Sequence, residues 1–274
     1  MCRLLGWSAD RPVTVAEVIG DAALARLRDL ACVHAQGWGM AWYVEGDDEL
    51  HTHRSTMAAM EDPEFEQFTT GMPVRRGLLH LRMATPGLGL TEQDTHPFVA
   101  DGLAFAHNGA IFPQDRLDVL LPPGAPAPAG STDSERYFAR LRDALGNKRG
   151  GAAVARAAGR VMSRIRWHEL TTSSLNALLL AGDEVHLISL HEPGKEPEGV
   201  QLWPSDVTTP PPYLDLSLMT GDGFSVVASS GIFGDETPVI PVDSASVVTL
   251  GKDGRVARTS AITEGIVRPL RRSA

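Results

Sequence analysis

Cysteine is scarce: Cys2 and Cys32 are the only two in 274 residues. They allow at most one disulfide and exclude the stapled framework of a small secreted domain. Lysine is nearly as rare. Lys148, Lys195 and Lys252 are the whole set, so arginine carries almost all the positive charge. With a net charge of −9 the chain lacks the basic surplus of a general nucleic-acid surface. The short run Arg268, Arg271, Arg272 reads as a solvated tail. No apolar stretch approaches the roughly 18 residues that a membrane span needs. The start lacks the basic segment, long apolar core and small-residue cleavage site of a secretion signal. The expectation is a cytoplasmic, reducing location that keeps a thiol free, with neither membrane nor nucleic acid as partner.

What remains is an ordinary globular composition, 43% hydrophobic and 22% charged. The length suits one large domain or two small ones, and neither an internal repeat nor a long linker divides it. Cys2 to Trp7 reads as a first strand. Thr14 suits the cap of a helix through Val15, Val18 and Ile19, and Leu24, Leu27 and Leu30 continue at helical spacing. Met40 to Val44 and Leu50 to Arg54 read as strands around an acidic turn at Gly46-Asp47-Asp48. A short helix is expected over Glu61 to Thr70. Strands follow at Gly77 to Ala84 and Leu103 to Ala106, then helices at Ser131 to Leu145 and Ala152 to Ile165. The last third is strand-rich: Asn176 to Leu180, Val185 to Leu190, Phe224 to Ser229 and Ser246 to Leu250. Gly182-Asp183-Glu184 and Lys252-Asp253-Gly254 mark hairpin turns. Strands, a central helical pair and more strands suit an α+β layered fold.

The start of the chain carries the chemistry. If Met1 is removed, Cys2 bears both a thiol and a free α-amine. The thiolate is the reactive form of cysteine, and a neighbouring proton acceptor generates it. An α-amine titrates near pKa ~7.7–8.0, so part of it is neutral at physiological pH and no side-chain base is required. On its own, a cysteine here also reads as a small core hydrophobe.

Further pieces lie downstream. Met1-Cys2-Arg3, Gly37-Trp38-Gly39, His80-Leu81-Arg82-Met83-Ala84-Thr85, Thr95-His96-Pro97-Phe98, His107-Asn108-Gly109 and Thr132-Asp133-Ser134-Glu135 occur in that order. Together they resemble the class II glutamine amidotransferases, which are N-terminal-nucleophile hydrolases. The resemblance implies a four-layer αββα fold, with two antiparallel sheets between helical layers, over residues 2–250. Residues 251–274 are then a C-terminal strand and tail.

It also implies roles. Cys2 attacks a γ-carboxamide, and Asn108 and Gly109 hold the oxyanion through a side-chain amide and a backbone N–H. The residue types suit this: fixed donors aimed at a developing oxyanion are worth about 2.7–4 kcal/mol each. Asn108-Gly109 alone also reads as a two-residue hairpin turn. Arg82 offers a planar fork for the substrate α-carboxylate, Thr85 a hydroxyl donor and Asp133 a charge for the α-ammonium. The alternative for Arg82 and Asp133 is a surface pair or a helix cap. His96 matches a position near the substrate loop, with a structural or positioning role expected. The chain departs from many members in carrying Met83 and Pro86 where they have Trp and His, which bears on the shape of the loop over the substrate.

The implied substrate is a small γ-glutamyl amide, with a γ-glutamyl thioester as intermediate and no metal or organic cofactor. The implied partner is a separate synthase that accepts the ammonia. An alternative is a stand-alone γ-glutamyl amidohydrolase like that of ergothioneine biosynthesis, which the opening Met1-Cys2-Arg3 with Gly6-Trp7 also resembles. A rival from another class is a glutamine-binding regulatory protein without catalysis. Other features read more simply. His51-Thr52-His53 has no third metal ligand nearby in sequence and suits a solvated strand face. Gly87-Leu88-Gly89 lacks the third glycine and the strand-to-helix setting of a dinucleotide loop. Pro210-Pro211-Pro212-Tyr213 suits a rigid connector.

Overall fold

The computed structural model describes residues 2–44, 49–85, 87–192, 202–205, 207–209 and 211–263. Met1, Pro86, Pro210, the acidic turn at Gly46-Asp47-Asp48 and the arginines of the tail lie outside the described residues.

The chain opens on strand β1 (Arg3–Val13), helices α1 (Val15–Ile19) and α2 (Asp21–Val33), strands β2 (Trp38–Tyr43) and β3 (Leu50–Ser55), helix α3 (Pro63–Thr70) and strand β4 (Val74–Leu81). Strands β5 (Phe98–Ala100), β6 (Leu103–Asn108) and β7 (Ile111–Phe112) lead into helices α4 (Asp133–Leu145) and α5 (Gly151–Trp167). Next come β8 (Thr171–Thr172), β9 (Asn176–Ala181), β10 (Glu184–Ser189), β11 (Leu216–Gly221) and β12 (Phe224–Ser229). The last strands are β13 (Ile240–Pro241), β14 (Ser246–Leu250) and β15 (Val256–Ala261).

Two large antiparallel sheets result, with β7 and β8 forming a small two-stranded one of their own. One runs β13-β11-β12-β1-β4-β2-β3 and the other β15-β14-β10-β9-β6-β5. Three apolar layers separate the elements. Leu5, Trp7, Leu24, Leu27 and Phe65 fill the space between the first sheet and α1 to α3. Leu4, Leu78, Leu178, Leu187 and Val248 fill the space between the sheets. Phe105, Leu179, Tyr137, Leu141 and Val161 fill the space between the second sheet and α4 with α5. The order is αββα.

Period-two geometry explains the opening sequence. Leu5 and Trp7 face the helices while Leu4 faces the other sheet, so a strand covered on both faces reads as a continuous apolar run. Gly6 points into the gap between the sheets, where a Cβ would sit 2.9 Å from Leu178 Cδ2. β1 is central in its sheet, between β12 and β4, and its buried start fixes where Cys2 lies.

Boundaries differ from the sequence expectation where local chemistry decides. The helix expected from Thr14 to Leu30 is two helices, broken at Gly20 with φ +79. Thr14 and Glu17 close a reciprocal capping box on the first. Helix α4 starts at Asp133 rather than Ser131, and Thr132 is its cap. Asn108-Gly109 is not a hairpin turn: Asn108 is the last residue of β6 and pairs with Asn176 of β9. The His51 and His53 face is half-buried rather than simply solvated. His51 stacks on Trp42 and His53 on Phe68, with ring centroids 5.8 and 4.6 Å apart.

Candidate active site

Strand register assembles the site. Arg3 pairs with Leu81, so Cys2 at the head of β1 lies beside Arg82 and Met83 at the end of β4. β6 delivers Asn108 from the facing sheet. Cys2 is 6% exposed, and its Sγ lies 3.5 Å from the Met83 carbonyl. The Cys2 N–H donates to Asn108 Oδ1 at 2.8 Å. Because an N–H of the chain can only donate, the oxygen end of the Asn108 amide must face it, and Nδ2 is turned elsewhere. That nitrogen is buried and has no hydrogen-bond partner among the described residues. Burying a polar N–H without a partner is unfavourable by about 1–3 kcal/mol, and such groups cluster where a ligand completes the pairing.

Gly109 follows directly. A Cβ on it would lie 2.0 Å from the Ser174 carbonyl oxygen and 2.6 Å from His107 Nε2, so no other residue fits without moving the backbone. His107 is held between Ser134 Oγ and the Ser174 carbonyl, each at 3.0 Å.

Arg82 is 2% exposed. Its Nη2 donates to the Gly89 carbonyl at 2.6 Å and its Nη1 to the Gln36 carbonyl at 3.4 Å. Burial pulls the guanidinium below its ordinary range, and the nearby Cys2 and Asp94 groups act against that pull. The guanidinium thus reaches from β4 into the loop that Thr85 begins. Gly37-Trp38-Gly39 is shaped by the same region. The Arg82 N–H donates to the Gly37 carbonyl at 2.9 Å, and a Cβ on Gly39 would lie 2.2 Å from the His96 carbonyl.

Asp133 is one step further out. Its Oδ2 accepts from the Ile111 N–H at 2.8 Å and lies 3.9 Å from His107 Nδ1. Desolvation raises its pKa, although the His107 ring and the backbone donors resist the shift. His96 is buried against β4. Its ring is 4.2 Å from His80 and 4.7 Å from Phe98. Burial keeps both histidines neutral, with His80 pulled down to about 3.

Sequence reasoning missed Asp94 and Gln36. The Asp94 carboxylate accepts from the Ser131 N–H at 2.6 Å, from Ser131 Oγ at 2.9 Å and from Thr91 Oγ1 at 2.6 Å, tying the loop after Thr85 to the approach to α4. Gln36 Oε1 accepts from the Ala84 N–H at 2.6 Å. The position of Asp94 two residues before His96-Pro97 was a signal for it; Gln36 beside Gly37 had none.

Two other places can be compared. His53, Asp62 and Glu64 bring donor atoms within 4.8 Å of one another. The Asp62 oxygens already accept from Trp38 Nε1 and the Glu64 N–H, each at 3.0 Å, which makes Asp62 a helix cap. A groove of about 660 Å³ runs past Arg54, Phe98, Pro126 and Arg142, and its lining includes none of Cys2, Arg82, Asn108 and Asp133. No helix among the described residues is long and apolar enough to cross a membrane.

Comparisons with known proteins bear on the family and the fold. The family model described as glutamine amidotransferases class-II matches residues 1–196. No curated protein matches the chain. Among solved structures, a glutamine aminotransferase class-II domain protein from Silicibacter pomeroyi superposes with a TM-score of 0.60 at 19% identity, covering 96% of this chain and all of that one, 100%. Glutamine phosphoribosylpyrophosphate amidotransferase from B. subtilis gives 0.60 at 16% identity, over 97% of this chain and 50% of its own length. A glutamine amidotransferase from Pseudomonas aeruginosa, itself so described by prediction, gives 0.51 at 20% identity, over 94% and 100%. These likenesses establish the fold, and the family match spans the segment that carries Cys2, Arg82, Asn108 and Asp133. The chain belongs to the class II glutamine amidotransferases, amide-processing enzymes built on the αββα N-terminal-nucleophile hydrolase fold.

Proposed function

We propose that the protein hydrolyses a γ-glutamyl amide through Cys2. After removal of Met1, the Cys2 sulfur attacks the γ-carbonyl carbon. The thiol proton passes to the α-amine of the same residue and then to the departing nitrogen, which leaves as ammonia or an amine. A γ-glutamyl thioester remains. Water, deprotonated by the same amine, attacks it, and glutamate departs with the thiol restored. The oxyanion of each tetrahedral intermediate takes the Asn108 Nδ2–H and the Gly109 N–H as donors.

The observation that carries this reading is the Cys2–Asn108 contact. One end of the amide holds the Cys2 nitrogen at 2.8 Å, while the other end is a buried donor without a partner. A fixed, desolvated N–H beside a thiol is what acyl transfer needs and what a merely structural asparagine avoids. Arg82 and Thr85 receive the substrate α-carboxylate, and Asp133 receives the α-ammonium. His96 holds the floor of the site.

The test is incubation with L-glutamine and a panel of γ-glutamyl amides, reading glutamate release. Release from glutamine that rises with a co-purified partner identifies a subunit that passes ammonia to a separate synthase. Release only from a larger γ-glutamyl compound identifies a stand-alone amidohydrolase. Binding of glutamine without release, together with a retained Met1, refutes the catalytic reading in favour of a regulatory protein.

A further inference from the structure

Tyr213 lies beyond the segment that the family model matches, yet it touches the residue that opens the site. It is fully buried. Its hydroxyl lies 3.2 Å from the Cys2 carbonyl oxygen and 2.8 Å from His34 Nε2. The other His34 nitrogen, Nδ1, is 2.7 Å from the Leu30 carbonyl at the end of α2. A carbonyl only accepts, so Nδ1 must carry a proton. Burial, reinforced by the Arg3 charge, keeps the ring neutral. Nε2 therefore presents a lone pair, and the single hydroxyl proton of Tyr213 is shared between His34 and the Cys2 carbonyl.

The ring of Tyr213 has a second task. The Arg3 guanidinium lies 3.7 Å from its centroid and 4.5 Å from that of Trp203, and Arg3 Nη1 donates to the Tyr213 carbonyl at 3.2 Å. Removing only the hydroxyl leaves this clamp in place. Residue 2 is then held at its nitrogen by Asn108 and at its sulfur by the Met83 carbonyl, and two residues on the Leu4 N–H donates to Ser229 Oγ at 3.1 Å. Its own carbonyl is the point that Tyr213 controls.

We propose that Tyr213 is a positioning residue for the nucleophile: its one hydroxyl proton, bifurcated between His34 Nε2 and the Cys2 carbonyl, ties that carbonyl down and through it sets the direction of the thiol. This rests on Cys2 being the attacking group. Tyr213→Phe isolates the hydroxyl. Loss of one such hydrogen bond in the transition state lowers kcat for glutamate release about tenfold, with KM unchanged within about twofold. In parallel, alkylation by iodoacetamide is followed at each cysteine by peptide mass spectrometry. The Cys2 rate falls about threefold or more, while Cys32, exposed on α2, keeps its rate and reports any general loosening. Unchanged kcat with an unchanged Cys2 rate overturns the proposal. So does a rise in KM alone, or an equal change at both cysteines. Absence of turnover in the unaltered protein rejects the hydrolase reading; the ratio of the two alkylation rates still decides whether Tyr213 holds residue 2.

Discussion

Asn108→Asp is the substitution that separates the two ends of the Asn108 amide. The side chain is fully buried, with Oδ1 on the Cys2 N–H at 2.8 Å and Nδ2 without a partner. Aspartate keeps an acceptor for Cys2 and replaces the free donor by an oxygen. Nothing else within the contact changes shape. If Nδ2–H meets the oxyanion, its loss removes about 2.7–4 kcal/mol of transition-state stabilisation. At 1.36 kcal/mol per factor of ten, kcat falls about 100- to 1,000-fold. A carboxylate facing a developing negative charge adds repulsion, so the larger value is expected. KM changes less, because the ground-state carbonyl makes the weaker interaction. The assay is steady-state glutamate release, with circular dichroism confirming the fold. A variant with kcat within about threefold of the parent would refute the oxyanion role and return Asn108 to a purely structural contact.

Other perturbations test neighbouring parts of the site. Arg82→Lys replaces the planar fork that reaches Gly89 and Gln36. KM for the γ-glutamyl substrate should rise about tenfold or more, with a smaller change in kcat, and equal KM would remove Arg82 from substrate binding. Gly109→Ala puts a Cβ 2.0 Å from the Ser174 carbonyl, so the backbone must shift. Urea unfolding should show a loss of about 1–3 kcal/mol together with weaker turnover, and unchanged stability would contradict the close approach. Acidification tests the buried histidines. His80 and His186 have folded-state pKa values of about 3 and about 4, set chiefly by desolvation, against 6.5 in the unfolded chain. Between pH 7 and 5 only the unfolded state gains these protons, so stability falls by about 2 kcal/mol for each of them. Urea midpoints that stay level across that window would show the rings to be open to protonation when folded.

Much of this architecture was legible because it is written locally. The run Leu4-Leu5-Gly6-Trp7 announces a strand covered on both faces, and Gly182-Asp183 is the two-residue loop between β9 and β10. Candidate site residues could be named where a motif fixes them next to one another, as with Asn108-Gly109 or His96-Pro97. What stayed hidden depends on distant parts of the chain. Tyr213 meets His34 across 179 positions, and Asp94 meets Ser131 across 37. Neither residue is unusual in its own surroundings; each gains meaning only when the layers close. The division of the first helix at Gly20 had a local signal, but the helical spacing of Leu24, Leu27 and Leu30 masked it.

Everything in the mechanism depends on a free α-amine and a thiol on the same residue. The most direct measurement is mass spectrometry of the purified protein after reaction with a glutamine analogue whose γ-position bears an electrophilic carbon. A chain beginning at Cys2, carrying one label on the Cys2 sulfur and losing turnover in proportion to labelling, is the predicted result. A chain that keeps Met1 and remains fully active, or one inactivated by a label on Cys32 alone, would contradict it.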